Sequence, residues 1–203
     1  MSKSNDDDEE ELKAILIGDT GVGKTNLIRT CLNQPFVDGY EPTITGSFLQ
    51  KKIEIDGKKF SVYLWDTAGE EKYRGVTKLF FKGSQIVILV YDITNSESFK
   101  SLEEWYEMSK DIIGGDYIYG IVGNKNDMYT ESKVKDEEVN KFAEKLNCLH
   151  AKASAKSNPE LFNSFLEELI VEFKKIKATE RRKSLKLKHT DKDNNIHKNK
   201  KCC

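Results

Sequence analysis

Gly18-Asp19-Thr20-Gly21-Val22-Gly23-Lys24-Thr25 is the stretch on which the reading of this chain turns. It follows the apolar run Leu12 to Ile17, which has the pattern of a buried strand, and it leads straight into Lys24 to Asn33, whose apolar spacing predicts a helix. Gly-x-x-x-x-Gly-Lys-Thr at a strand-to-helix turn is the pattern of a loop that cradles phosphates. The glycines let backbone N–H groups turn inward and the helix N-terminus adds positive dipole. Lys24 is placed to reach the β and γ phosphates, and the Thr25 hydroxyl to coordinate Mg²⁺. By itself the loop implies a nucleoside triphosphate; base and reaction have to come from elsewhere.

Outward from the loop, strand and helix patterns alternate. Phe48 to Ile55 turns through Asp56-Gly57 into Lys58 to Trp65, a strong hairpin signal. Three further strands are expected at Gln85 to Tyr91, Tyr117 to Val122 and Cys148 to Ala151, with helices between them. Phe99, Leu102, Trp105, Met108 and Ile112 fall on one helical stripe and read as core. Asn158-Pro159 is expected to open the last helix as cap and first turn, with Leu161, Phe165, Leu169 and Phe173 as its buried face. Short buried strands alternating with helices imply a parallel sheet covered on both sides. The fold expected is an α/β P-loop NTPase: a six-stranded, mostly parallel sheet with one antiparallel hairpin strand and helices on both faces.

The chain has 203 residues, 37% hydrophobic and 33% charged, enough for one domain with tails. Its longest apolar run, Ile86 to Tyr91, is far short of the roughly 18 to 20 residues that cross a bilayer. The start lacks the basic and apolar regions of a secretory signal, and the four cysteines, Cys31 and Cys148 alone in apolar patterns and Cys202-Cys203 as the last two residues, imply no disulfide framework. A reducing compartment is expected. A formal net charge of -1 hides strong segregation: residues 1 to 12 carry one Lys against six acids, and residues 174 to 201 carry twelve Lys or Arg against three acids. We read residues 1–11 as an acidic disordered tail, 12–177 as the folded domain, and 178–203 as a basic tail ending in Cys202-Cys203. A dozen basic residues can hold a chain end near an anionic leaflet at about 1 kcal/mol each. Nucleic acid is the rival partner, but the tail has no aromatics to stack bases and none is expected to bind.

The base is read from Asn124-Lys125-Asn126-Asp127, which follows the strand end Ile121-Val122-Gly123, where open α/β sheets bind ligands. The Asp127 carboxylate can accept parallel hydrogen bonds from N1–H and the 2-amino group of guanine. Adenine offers no such pair, and a site built for a hydrogen bond discriminates strongly against a ligand lacking it. Asn124 to Asp127 alone reads equally well as a polar loop; Ser154-Ala155-Lys156 after a later strand favours the base reading.

In order and spacing, Gly18 to Thr25, Asp66-Thr67-Ala68-Gly69, Asn124 to Asp127 and Ser154 to Lys156 resemble the Ras-like small GTPases over about residues 12 to 175. Trp65, Lys72-Tyr73-Arg74, Phe80-Phe81-Lys82-Gly83, Val90-Tyr91-Asp92-Ile93-Thr94 and the terminal Cys-Cys look most like the Rab branch. The resemblance implies GTP and GDP as ligands with Mg²⁺. Gly18, Asp19, Thr20, Gly21, Val22, Gly23, Lys24, Thr25 and Asn26 would meet the phosphates, with Tyr40 beside them. Thr43 would bind Mg²⁺ and feel the γ-phosphate, Asp66 would hold Mg²⁺ through water, and the Gly69 N–H would contact the γ-phosphate. Phe36 would lie at the guanine edge, Lys125 and Lys156 would cover its faces, Ser154 would be among the nucleotide-binding residues, and the Ala155 N–H would meet O6. Ile44 and the aromatic triad Phe48, Trp65 and Phe80 would meet effectors, although the triad reads also as plain core. Cys202 and Cys203 would be geranylgeranylated, consistent with the rule that stable anchoring takes two signals.

Glu70 departs from the family, which usually has Gln there to orient the attacking water. A carboxylate has no N–H to donate and adds charge beside a triphosphate, so slow hydrolysis is expected. Catalytic roles fall to Lys24, Thr43, Gly69 and Glu70. Gly46 sits one residue later than in the common Rab pattern, and Thr20 replaces the Gly of Ras proper. The resulting expectation is a monomeric, slow GTPase switch in vesicle trafficking, on the cytoplasmic face of an intracellular membrane and cycling with cytosol. Effectors, an exchange factor, a GTPase-activating protein, the prenylation machinery and a dissociation inhibitor would be its partners. The alternative is a GTP-loaded binding platform with little turnover because of Glu70. A small-molecule P-loop kinase is disfavoured by the guanine-reading loop.

Overall fold

Alternating apolar residues in the central strands serve two cores at once. Along the first strand, β1 (Glu10–Ile17), Leu12, Ala14 and Leu16 face one core while Ile15 and Ile17 face the other. The computed structural model describes residues 9–39, 41–44, 46–68 and 79–198, with side chains to residue 179. After β1 come α1 (Lys24–Cys31), β2 (Ser47–Ile55), β3 (Lys58–Asp66) and β4 (Ile86–Asp92). Then follow α2 (Ser96–Lys100), α3 (Leu102–Ile113), β5 (Ile118–Asn124), a 3₁₀ turn (Asn126–Glu131), α4 (Asp136–Leu146), β6 (Leu149–Lys152) and α5 (Glu160–Lys198).

The sheet order is β2-β3-β1-β4-β5-β6, with β2 and β3 antiparallel and every other pair parallel. Asp56 and Gly57 both take positive φ at the hairpin, as a tight two-residue turn demands. Leu27 and Ile28 of α1 and the apolar face of α5 cover one side of the sheet; Leu102, Trp105 and Ile113 of α3 and Val139 and Ala143 of α4 cover the other. The expected fold class is what the chain adopts. Among the described residues, no helix is long and apolar enough to cross a membrane.

Five details differ from expectation. β1 begins at Glu10, inside the stretch read as a tail, and Glu10 ion-pairs with Lys174 and, at 3.9 Å, with Lys177 of α5. The stripe from Phe99 to Ile112 is divided at Ser101, whose hydroxyl donates to the Glu97 carbonyl at 3.0 Å; Phe99, Leu102 and Trp105 still pack on the same core. Asn158 bridges back to Ser154, so the carbonyl of Pro159 takes the capping place, accepting from Phe162 and Asn163. Leu161 is 43% exposed, and Phe162 occupies the core instead. An i, i+4 series drifts by about 40° per step around a helix, which carries Leu161 off the face centred on Phe162, Leu166, Leu169 and Phe173. α5 also runs on without interruption to Lys198, through most of the segment read as a basic tail.

Truncation of Phe162 to Ala is expected to cost about 3–5 kcal/mol of unfolding free energy, and Leu161→Ala less than about 0.5 kcal/mol. Urea denaturation of the two variants checks this; comparable losses would contradict the assigned face.

Candidate functional site

Parallel strands deliver their carboxyl ends to one edge of the sheet, and the loops that leave β1, β3, β5 and β6 there build a single cleft of about 400 Å³. The glycine loop can follow β1 so closely because Gly18 takes φ 146°, with the Val90 carbonyl oxygen only 2.1 Å from where a Cβ would stand. Gly23, at φ 96°, likewise leaves room for the Asn124 amide, 2.3 Å from its missing Cβ. Thr20, Gly21, Gly23, Lys24, Thr25 and Asn26 line the cleft. Gly18, Asp19 and Val22 stand behind that lining.

Lys24 is buried, and its ammonium donates to the carbonyls of Gly18 at 2.7 Å and Asp19 at 2.9 Å. Burial pushes its pKa down to about 8, against the opposing pull of Asp66 and Asp19. Thr25, Thr43 and Asp66 meet beside it. Both hydroxyls donate to Asp66 Oδ2, at 2.7 Å from Thr25 and 3.4 Å from Thr43, and they lie 3.0 Å from each other. Burial raises the Asp66 pKa, and the second carboxylate oxygen, Oδ1, is buried without a hydrogen-bond partner among the described residues. A hard divalent cation fits this set: three convergent oxygen donors, one of them an orphaned carboxylate oxygen, is the chemistry Mg²⁺ takes.

At the opposite end Phe36, Asn124, Lys125, Asp127, Ala155 and Lys156 line the cleft. The Lys156 ammonium lies 5.9 Å from the centre of the Phe36 ring. Ser154, buried behind the lining, donates its hydroxyl to Asp127 Oδ1 at 2.5 Å and fixes that carboxylate. Asn26 holds the loop segment carrying Phe36 by a two-way clamp on Val37, donating to its carbonyl at 2.9 Å and accepting from its N–H at 3.1 Å. The cleft thus joins a cationic, oxygen-lined end to a flat end with a carboxylate at its floor. That is the division a nucleotide needs.

Two roles were not readable from the sequence. Asn124 donates to the Val22 carbonyl at 2.8 Å and accepts from the Ala155 N–H at 3.2 Å, tying together three loops. Asp92 pairs with the Lys125 ammonium at 2.6 Å while Thr94 donates to its other oxygen through both N–H and hydroxyl. The Asp-x-Thr spacing of an Asx turn was the available signal for Asp92; none existed for Asn124. Tyr40, Gly69, Glu70, Cys202 and Cys203 lie outside the described residues.

Beside the cleft Phe48 stacks on Trp65 at 5.0 Å between ring centres, and Trp65 meets Phe80 at 5.2 Å. Phe48 is 51% and Ile44 61% exposed; Trp65 and Phe80 are half-buried against the second core. A side chain at Gly46 would stand 2.5 Å from the Phe80 ring, which gives the displaced glycine a packing reason.

Asn124→Ala is expected to cost about 2 kcal/mol or more, because it strands a buried carbonyl and a buried N–H. Lys125→Ala, which breaks a partly exposed pair, should cost less than about 1 kcal/mol. Urea melts of the nucleotide-free protein compare them; equal small losses would show that Asn124 does not hold the loops.

Residues 13–175 match the Ras family. The chain is similar to Ras-related protein Rab-21 of Homo sapiens, 36% identical over 155 residues, covering 76% of this chain and 69% of that protein. Ras-related protein Rab-17 of Mus musculus is 36% identical over 162 residues, 78% of this chain and 75% of its own. Ras-related protein Rab-13 of Bos taurus is 34% identical over 187 residues, 90% of this chain and 92% of its own.

Proposed function

The chain belongs to the Ras family of small GTPases and is Rab-like within it, a GTPase that turns GTP and water into GDP and phosphate, and from that premise we propose that it works as a slow guanine-nucleotide switch on membranes in vesicle trafficking. The observation that carries the nucleotide part is the cleft itself: Asp127, fixed by Ser154, at one end, and Lys24 with the Thr25, Thr43 and Asp66 oxygens at the other.

In this reading Asp127 accepts from the guanine N1–H and 2-amino group, the Ala155 N–H faces O6, and Phe36 and the stems of Lys125 and Lys156 flank the ring. Lys24 exchanges its two carbonyl partners for β and γ phosphate oxygens and holds the charge that develops during in-line attack by water. Mg²⁺, held by Thr25, Thr43 and Asp66, supplies charge neutralisation on the phosphates. Glu70 offers no N–H to orient the water. Hydrolysis is therefore slow without an activating protein, and the GTP state is long-lived. Loss of the γ-phosphate releases the loops carrying Thr43 and Gly69, and with them the surface of Ile44, Phe48, Trp65 and Phe80 that effectors meet. An exchange factor reloads the site; geranylgeranyl groups on Cys202 and Cys203, together with the basic C-terminal segment, hold the protein at the cytoplasmic face of a membrane. The prenylation machinery and a dissociation inhibitor serve that cycle.

Single-turnover hydrolysis of bound GTP, read by chromatography, should run below the roughly 10⁻⁴ to 10⁻³ s⁻¹ of an unassisted Ras-like site and speed up in Glu70→Gln. A wild type as fast as the variant contradicts the slow-switch reading. Replacing Cys202 and Cys203 with Ser should move the protein from the membrane to the cytosolic fraction of cells despite its basic C-terminal segment. Persistent membrane association would rule out the lipid anchor.

A further inference from the structure

Trp105 is fully buried in the middle of α3 and reads, by its spacing, as an ordinary core residue. Its ring does pack in the core between the sheet and α3 and α4. Its indole N–H, however, donates at 2.8 Å to Oδ1 of Asp19, 86 positions earlier, in the glycine loop. Asp19 does not line the cleft; its carboxylate is engaged by the helix behind the loop, while its backbone carbonyl accepts from the Lys24 ammonium at 2.9 Å.

The loop is thus held from behind at two points. Asn124 takes the Val22 carbonyl, and Trp105 takes the Asp19 side chain. Between those points lie Thr20 and Gly21, both exposed and both lining the cleft. Among the described residues nothing lies within 4 Å of the place a Cβ of Gly21 would occupy, so their packing does not fix this part of the loop. A loop that must present several N–H groups to phosphates at once gains affinity from being ordered before the ligand arrives. An unheld Asp19 carboxylate would also be free to turn toward the phosphates and repel them.

We propose that Trp105 is a positioning residue for nucleotide binding: through its hydrogen bond to Asp19 it fixes the phosphate-binding loop and the Lys24 ammonium, and so slows nucleotide release. The inference rests on the guanine-nucleotide reading above. Trp105 is not among the described residues that line the cleft, and its hydrogen bond reaches the loop at Asp19.

The test is dissociation of a fluorescently labelled GDP from the full-length protein in Mg²⁺, chased with excess GDP. Trp105→Phe keeps an aromatic ring and removes the N–H; release should be about tenfold faster, the scale of a charge-assisted hydrogen bond. Asp19→Ala should accelerate release to a similar degree. Asp19→Asn, which keeps an acceptor oxygen for the indole but not its charge, should release GDP more slowly than Asp19→Ala. In the Asp19→Ala background, Trp105→Phe should add nothing further. A purely packing role for Trp105 would instead make the two effects multiply, and that result overturns the inference. If Trp105→Phe does not fold, the Asp19 pair still decides: equal release from Asp19→Ala and Asp19→Asn overturns it, whereas slower release from the Asn variant than from the Ala variant supports it. Failure of the wild-type protein to bind the labelled GDP would remove the nucleotide reading and this inference together; binding with multiplicative effects removes the inference alone.

Discussion

The side-chain amide of Asn124 spans the distance between the phosphate loop and the loop beyond β6, donating to the Val22 carbonyl and accepting from the Ala155 N–H. Each parallel strand ends in its own loop, and nothing in the sheet's hydrogen bonding fixes one loop to the next. A buried amide with both ends satisfied performs that task from the last residue of β5. The glycines at 18 and 23 are the corresponding concession on the backbone side, since a Cβ at either would strike the Val90 carbonyl or the Asn124 amide. Close approach of loop to strand and loop to amide is therefore one constraint met by several residues. The burial of Lys24 and the orphaned oxygen of Asp66 follow from it, for both lie in the space that this approach encloses.

Charge is distributed to match. The cationic end of the cleft keeps its ammonium against carbonyls and its carboxylate against hydroxyls, an arrangement that satisfies each group only in part and that an anionic ligand with a divalent cation completes. At the far end the Asp127 carboxylate is oriented by Ser154, and the half-buried Phe36 ring belongs to the same lining, so a ligand there meets both a fixed acceptor and an apolar face. The extremes of the chain carry a separate electrostatic layer. Glu10, in the first acidic run, already pairs with Lys174 and Lys177 where the basic segment begins. These pairs are partly exposed and contribute little to stability.

Features set by neighbours in sequence were legible beforehand. The glycine loop, the Asp56-Gly57 hairpin and the six strands rest on local conformational preference and on period-two burial, and they appear within a residue or two of their expected places. Features set by neighbours in space were not. The helical face of α5 was misphased at Leu161 because a strict four-residue repeat does not keep step with the helix, and the division at Ser101 leaves no mark in an apolar stripe. The bonds from Trp105 to Asp19 and from Lys125 to Asp92 join residues 86 and 33 positions apart, and periodicity says nothing about which polar atom a core indole or a loop lysine will find. The residues of the cleft were named from motifs; the bonds by which Asn124, Asp92 and Trp105 hold those motifs in place were not read.

The central claim is that this cleft selects a guanine nucleotide through a carboxylate fixed at Asp127. Calorimetric titration of nucleotide-free protein with GDP and, separately, with ADP, both in Mg²⁺, tests it most directly. The account predicts tight one-to-one binding of GDP and no measurable heat from ADP at the same concentrations. Equal affinity for the two nucleotides would contradict it.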